Sequence, residues 1–199
     1  MRDKKTVYLH IGWEKTGTSA IQSFLGRNQS WLRHHGFHYP IMGNVPQHLL
    51  MYEALSSSRP RRIAKMVDNV RGLVRSSKEP SVIFSHERLH DCNPAIFRDI
   101  FKDEDVRIIA YLRRYDYSVI SFFSTIIRWG LFPVNPRNTL IRRFKEEHLR
   151  YFDHYWPLRN FAYVFGKESL MLRKYGKQDL IGGNSVQDFM CLLGINDLE

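Results

Sequence analysis

One short stretch limits what this chain can fold into: Val7-Tyr8-Leu9-His10-Ile11-Gly12-Trp13-Glu14-Lys15-Thr16-Gly17-Thr18-Ser19-Ala20. Val7 to Ile11 is a β-rich run that breaks at Gly12 into a turn. From Ala20 onward apolar residues recur at Ile21, Phe24, Leu25 and Leu32, the stripe of an amphipathic helix. A strand, a glycine-containing loop and then a helix present backbone N–H groups and the positive end of a helix dipole to an anion. Lys15 adds a full charge inside the loop, and the hydroxyls of Thr16, Thr18 and Ser19 are further donors. The stretch reads as an anion-binding loop. The bland counterpart is a turn that needs glycine for its geometry and carries a solvated lysine. Lys15-Thr16-Gly17-Thr18 alone leaves the two readings balanced.

The rest of the chain alternates between the two kinds of element. The first helix is expected to run to His35 and stop at Gly36, followed by an extended Phe37-His38-Tyr39-Pro40. Helices are expected over Gln47–Leu55, through the stripe Ile63, Met66, Val67, Val70, Leu73 and Val74, and over Asn93–Phe101. Ser81–Ser85, Val106–Leu112 and Ser169–Leu172 read as strands. Tyr117–Trp129 reads as a well-buried helix, Pro133, Asn135 and Pro136 as an irregular loop. One or two helices are expected over 138–165, anchored by Phe144, Phe152, Tyr155, Trp156 and Phe161, and a last one over Val186–Leu193. Such alternation implies an α/β three-layer sandwich with a central, mostly parallel sheet. At 199 residues, with 43% hydrophobic content, the chain suits a single domain over 1–199.

Thirty basic against 20 acidic residues give a net charge of +10, a field that favours anions without saying which. Cys92 and Cys191 stand far apart, outside any CxxC pair, and the nine histidines show no zinc spacing with them. Free thiols fit a reducing, cytoplasmic setting. No apolar run approaches the ~20 residues of a transmembrane span, and the run after Met1-Arg2-Asp3-Lys4-Lys5 is too short for a secretory signal.

In open parallel sheets ligands bind beyond the carboxyl ends of the strands. Three strands deliver polar residues there: the first Lys15 to Ser19, the second Ser85, His86 and Glu87, the third Arg113, with Ser121 eight residues later in the following helix. Arg113 offers a bidentate donor pair to a phosphate. Arg114 and Ser118 compete for the same roles.

Lys-Thr-Gly-Thr after a strand resembles the 5′-phosphosulfate loop of the PAPS-dependent sulfotransferases, both the Golgi glycan-modifying enzymes and the bacterial carbohydrate-type ones. It differs from the triphosphatase pattern, where the lysine follows the last glycine; here Lys15 precedes Gly17. The strand-ending Arg113 with Ser121 resembles the family's 3′-phosphate motif, although Tyr115 stands where a proline is usual. Gly36-Phe37-His38-Tyr39-Pro40, His48, Phe165-Gly166, Arg173-Lys174-Tyr175, Asp188-Phe189 and Leu193-Gly194 extend the resemblance more loosely over nearly the whole chain. The chain is short for the family, which leaves room for an absent C-terminal segment.

The resemblance implies a P-loop-NTPase-like fold and transfer of a sulfuryl group from 3′-phosphoadenosine 5′-phosphosulfate (PAPS) to a hydroxyl or amine, releasing the bisphosphate PAP without a metal. It implies that Lys15 stabilises the leaving oxygen, that Thr16, Gly17, Thr18 and Ser19 hold the 5′-phosphate, and that Arg113 and Ser121 hold the 3′-phosphate. The base comes from Glu87 or His86, ranked nearly equal, then His48, with His38 last. Neighbours on an extended strand point opposite ways, so His86 and Glu87 should not both face the acceptor. A bacterial glycan or glycolipid acceptor is implied at family level, and Trp129, Phe132, Tyr151 and Trp156 are candidates to line it, against core packing for each. The rival readings are a P-loop small-molecule kinase, against which the lysine order argues, and a basic nucleic-acid-binding module, for which no reader motif is present.

Overall fold

The structure, a computed structural model, describes residues 3–128 and 153–196. The β-rich runs become β1 (Thr6–His10), β2 (Phe37–His38), β3 (Ser81–Ser85), β4 (Asp105–Arg113) and β5 (Leu170–Tyr175). They form one sheet in the order β2-β3-β1-β4-β5, with every neighbouring pair parallel. The helices are α1 (Thr18–Arg27), α2 (Gln29–His34), α3 (Leu49–Leu55), α4 (Pro60–Ser76), α5 (Pro94–Ile100), α6 (Tyr115–Arg128), α7 (Tyr155–Phe165) and α8 (Ser185–Leu192).

The two-residue period of each strand sorts its side chains into two cores. Val7, Leu9 and Ile11, with Val82 and Phe84 and with Val106, Ile108 and Ala110, meet α3, α4, α5 and α7. Ile83, Ile109 and Tyr111 face the other way, against Ile21 and Leu25 of α1, Leu32 of α2 and Phe189 and Met190 of α8. The result is the expected α/β three-layer sandwich.

Two local expectations change. The first helix breaks at Asn28, whose side-chain amide donates to the Phe24 carbonyl at 2.8 Å. This bond offers the backbone an alternative to continued helix. Helix α6 is not well buried in its first turns: Tyr115, Tyr117 and Ile120 are 42%, 51% and 61% exposed. The loop expected at Pro133, Asn135 and Pro136, the anchors Phe144 and Phe152, and the candidates Trp129, Phe132 and Tyr151 lie outside the described residues.

Strand β1 sits in the middle, and its register pairs His10 with Ser85 of β3 and with Ile109 of β4. β4 therefore continues past β1 to Arg113. The chain leaves β1 towards the β2–β3 side, whereas β4 and β5 lie on the other, so the crevice between β1 and β4 is the topological switch point.

One wall of that crevice is locked from below. Asp188 of α8 is wholly buried and accepts from Tyr111 Oη at 2.8 Å, Arg173 Nε at 3.1 Å and the Ile181 N–H at 3.0 Å. Asp188→Ala leaves all three donors short of a partner. Breaking a buried pair costs about 3–5 kcal/mol, and the partial exposure of Arg173 places this one near the lower end. Thermal unfolding should fall by roughly 6–12 °C; a melting temperature within a degree or two of wild type would contradict the lock.

Candidate active site

The turn after β1 is set by two close approaches. At Gly12 φ is +57°, and a Cβ there would lie 2.6 Å from the Glu87 Cα, so the loops after β1 and β3 touch backbone to backbone. At Gly17 φ is +76°, and a Cβ would lie 2.4 Å from Ser185 Oγ at the start of α8. Only glycine satisfies both constraints at each position. Between them Lys15 also adopts a left-handed φ of 65°, a conformation that costs a residue with a side chain on the order of 1–3 kcal/mol and clusters at functional sites.

Trp13 anchors the loop, buried and stacked on His90 at 4.4 Å with an interplanar angle of 20°. Its carbonyl accepts from Thr16 Oγ1 at 2.6 Å and Thr18 Oγ1 at 3.1 Å. The hydroxyls of these threonines are thus turned inward onto the loop's own backbone. What the loop offers an anion is its N–H groups, the uncapped first turn of α1, the exposed Ser19 and the Lys15 ammonium. Among the described residues no hydrogen bond or ion pair engages that ammonium.

Arg113, at the end of β4, meets this loop. Its Nη1 donates to the Lys15 carbonyl at 3.1 Å across the switch point, and its guanidinium lies 5.8 Å from the centre of the Tyr175 ring. Arg114 takes another direction: its Nε and Nη2 donate to Asp116 at 2.7 and 2.6 Å, and it lies 4.7 Å from the Tyr117 ring. Of the two arginines, Arg113 is the one that meets the loop. A cleft of about 560 Å³ opens beside it, lined by Arg113, Tyr117, Tyr175, Lys177, Asn184 and Ser185 among others. Ser185 Oγ donates to the Gly17 carbonyl at 3.4 Å, so cleft and loop are contiguous. Ser121 is not among the lining residues; it lies one helical turn beyond Tyr117 on the same stripe of α6. Ser118 is buried.

The three candidate bases have different surroundings. His48 is wholly buried; its Nδ1 accepts from the Ser85 N–H at 2.8 Å and its Nε2 donates to the Pro40 carbonyl at 2.6 Å. Burial pushes its pKa down to about 4. Both nitrogens are spent on backbone, so His48, third among the expected bases, ties two loops together and has no lone pair for a substrate in this arrangement. His86 stacks on Tyr52 at 5.0 Å, and its Nδ1 accepts from the Arg88 N–H at 3.2 Å. Burial lowers its pKa. The neutral ring then carries its proton on Nε2 and is a donor. Glu87 points to the opposite side, where its Oε2 accepts from Gln22 Nε2 of α1 at 3.3 Å, and it remains partly exposed. Of the three, Glu87 alone keeps an accessible acceptor. His38 is half-buried, its Nδ1 without a partner among the described residues.

No family model matches the sequence. An uncharacterized protein of Archaeoglobus fulgidus is 29% identical over 100 residues, which cover 50% of this chain and 25% of that protein. In three dimensions the chain superposes on the crystal structure of a sulfotransferase from Alicyclobacillus acidocaldarius with a TM-score of 0.53 and 15% identity, covering 100% of this chain and 84% of that one. The fold is that of a sulfotransferase. The sulfotransferase domain from the curacin biosynthetic pathway aligns at a TM-score of 0.44 with 13% identity, over 100% and 76% of the two chains.

Within the sulfotransferase fold, the structure gathers Lys15, Thr16, Gly17, Thr18, Ser19, Glu87 and Arg113 at the carboxyl ends of β1, β3 and β4. His86 stands at the same end, facing away. Lys177, Asn184 and Ser185 also line the cleft and belong to no motif in the sequence; Gly182-Gly183 ahead of a helix capped by Asn184 is the local signal there. Among the described residues no cluster of three metal-ligating side chains occurs, and no helix is long and apolar enough to cross a membrane.

Proposed function

We propose that the protein transfers a sulfuryl group from PAPS to a hydroxyl or amine of a glycan or glycolipid acceptor. One observation carries the reading: the Arg113 guanidinium donates to the backbone carbonyl of Lys15, so the strand-ending arginine and the anion-binding loop meet at the switch point. A nucleotide with phosphates on both its 3′ and 5′ positions carries them on one ribose, so it needs two such groups side by side.

The 5′-phosphate takes the loop N–H groups and the first turn of α1. The 3′-phosphate takes Arg113, with Ser121 reaching it from α6, while Lys177, Asn184 and Tyr175 line the remainder of the cleft. The acceptor oxygen attacks sulfur in line, the bond from sulfur to the bridging oxygen breaks, and the departing charge stays on the 5′-phosphate. The Lys15 ammonium meets that charge as it develops. Glu87 takes the acceptor proton. These steps call for no metal. The free thiols of Cys92 and Cys191 fit a cytoplasmic setting.

The test is transfer of label from ³⁵S-PAPS to a panel of glycans and glycolipids in the presence of EDTA. The reading expects labelled acceptor and an equal amount of PAP. Phosphoryl transfer from ATP–Mg²⁺ with no turnover of PAPS would overturn it.

A further inference from the structure

Gln22 is a wholly buried polar side chain in the middle of the α1 stripe. Ile21 and Leu25 beside it meet the second core as apolar residues do, whereas Gln22 is as fully buried and brings in a primary amide. Its Oε1 has no hydrogen-bond partner among the described residues. An unpaired buried polar atom destabilises a fold, so packing gives no reason for glutamine at a site that leucine would fill.

The amide nitrogen supplies one. Nε2 lies 3.3 Å from Glu87 Oε2 and 3.3 Å from Ser85 Oγ. Ser85 Oγ in turn lies 2.8 Å from His10 Nδ1 on the central strand. His10 and Ser85 are wholly buried, and a histidine in that setting is neutral. The ring's tautomer sets which of His10 Nδ1 and Ser85 Oγ donates to the other; in both cases a Ser85 lone pair accepts from the Gln22 amide. The two bonds from the Gln22 amide have a fixed direction, one N–H to Ser85 and the other aimed at one carboxylate oxygen of Glu87. The other oxygen is left for the acceptor.

We infer that Gln22, backed by Ser85 and His10, is a positioning residue that holds the Glu87 carboxylate in the orientation of a base. This inference rests on the sulfotransferase reading above. Gln22→Leu, with Gln22→Met as a second unbranched filling, keeps the volume and removes the donor. The expected result is a kcat lower by about 10-fold, the size of one lost bond to a charged group, with the KM for PAPS within about twofold. The melting temperature should be equal or higher, because the orphaned amide oxygen is gone. In a Glu87→Gln background the same change should alter kcat less than about twofold, since the residue to be positioned is already lost. An unchanged kcat in Gln22→Leu, the same loss in both backgrounds, or a fall in melting temperature with a raised KM would each overturn the positioning role while leaving the sulfotransferase reading standing. A wild-type protein without PAPS turnover would overturn that reading, and the role with it.

Discussion

Lys15→Ala should lower the rate of sulfuryl transfer ~100- to 1,000-fold, the usual cost of deleting one donor aimed at a developing oxyanion. The substitution is a clean one at this position. The backbone is already held in the left-handed region at a φ of 65° and by Arg113 on its carbonyl, and alanine meets the same strain there as lysine. Only the ammonium is lost. Affinity for PAP should move less than the rate, because the loop N–H groups, the α1 terminus and Arg113 remain. Lys15→Arg should restore little, since a planar fork does not place its charge where a compact ammonium does. Measured with labelled PAPS, a Lys15→Ala rate within about threefold of wild type would contradict the assigned role.

Glu87→Gln should cost ~100- to 10,000-fold in kcat, the range expected for loss of a general base. Glutamine keeps the shape and the backbone, and it is the Glu87 backbone that abuts Gly12. The loop after β1 should therefore stay in place and PAP affinity should change little. His86→Asn should be far milder, because His86 has its Nδ1 occupied and its ring stacked on Tyr52. If His86→Asn removes activity and Glu87→Gln keeps it, the two roles are reversed.

The contrast between these residues indicates what the sequence makes legible. The strand–loop–helix stretch and the three later strands are local patterns, set by periodicity and by glycine, and they can be read directly. The partners of a side chain are not local. Arg113 and Arg114 are equivalent as sequence, and they separate only because Asp116 captures Arg114. His48 looks like a base until the Pro40 carbonyl and the Ser85 N–H occupy its two nitrogens. Thr16 and Thr18 look like ligand donors until both turn to Trp13. Gln22 follows Ile21 on a helix whose polar residues read as surface, and only the parallel pairing of β1 with β3 brings Ser85 and Glu87 to it. The lower wall of the cleft, Lys177 to Ser185, is distant in sequence from both phosphate motifs, and it arrives through β5 and the Asp188 clamp.

The central claim is that one cleft binds one doubly phosphorylated nucleoside through the loop at Lys15 and through Arg113. Calorimetric titration of wild type and Arg113→Ala with adenosine 3′,5′-bisphosphate in EDTA, and separately with ATP–Mg²⁺ in chelator-free buffer, tests it most directly. The account predicts micromolar binding of the bisphosphate without metal, weakened about 10- to 100-fold by Arg113→Ala, the size of a lost charge-assisted contact. Wild-type affinity in Arg113→Ala, or binding of ATP–Mg²⁺ in preference to the bisphosphate, would contradict it.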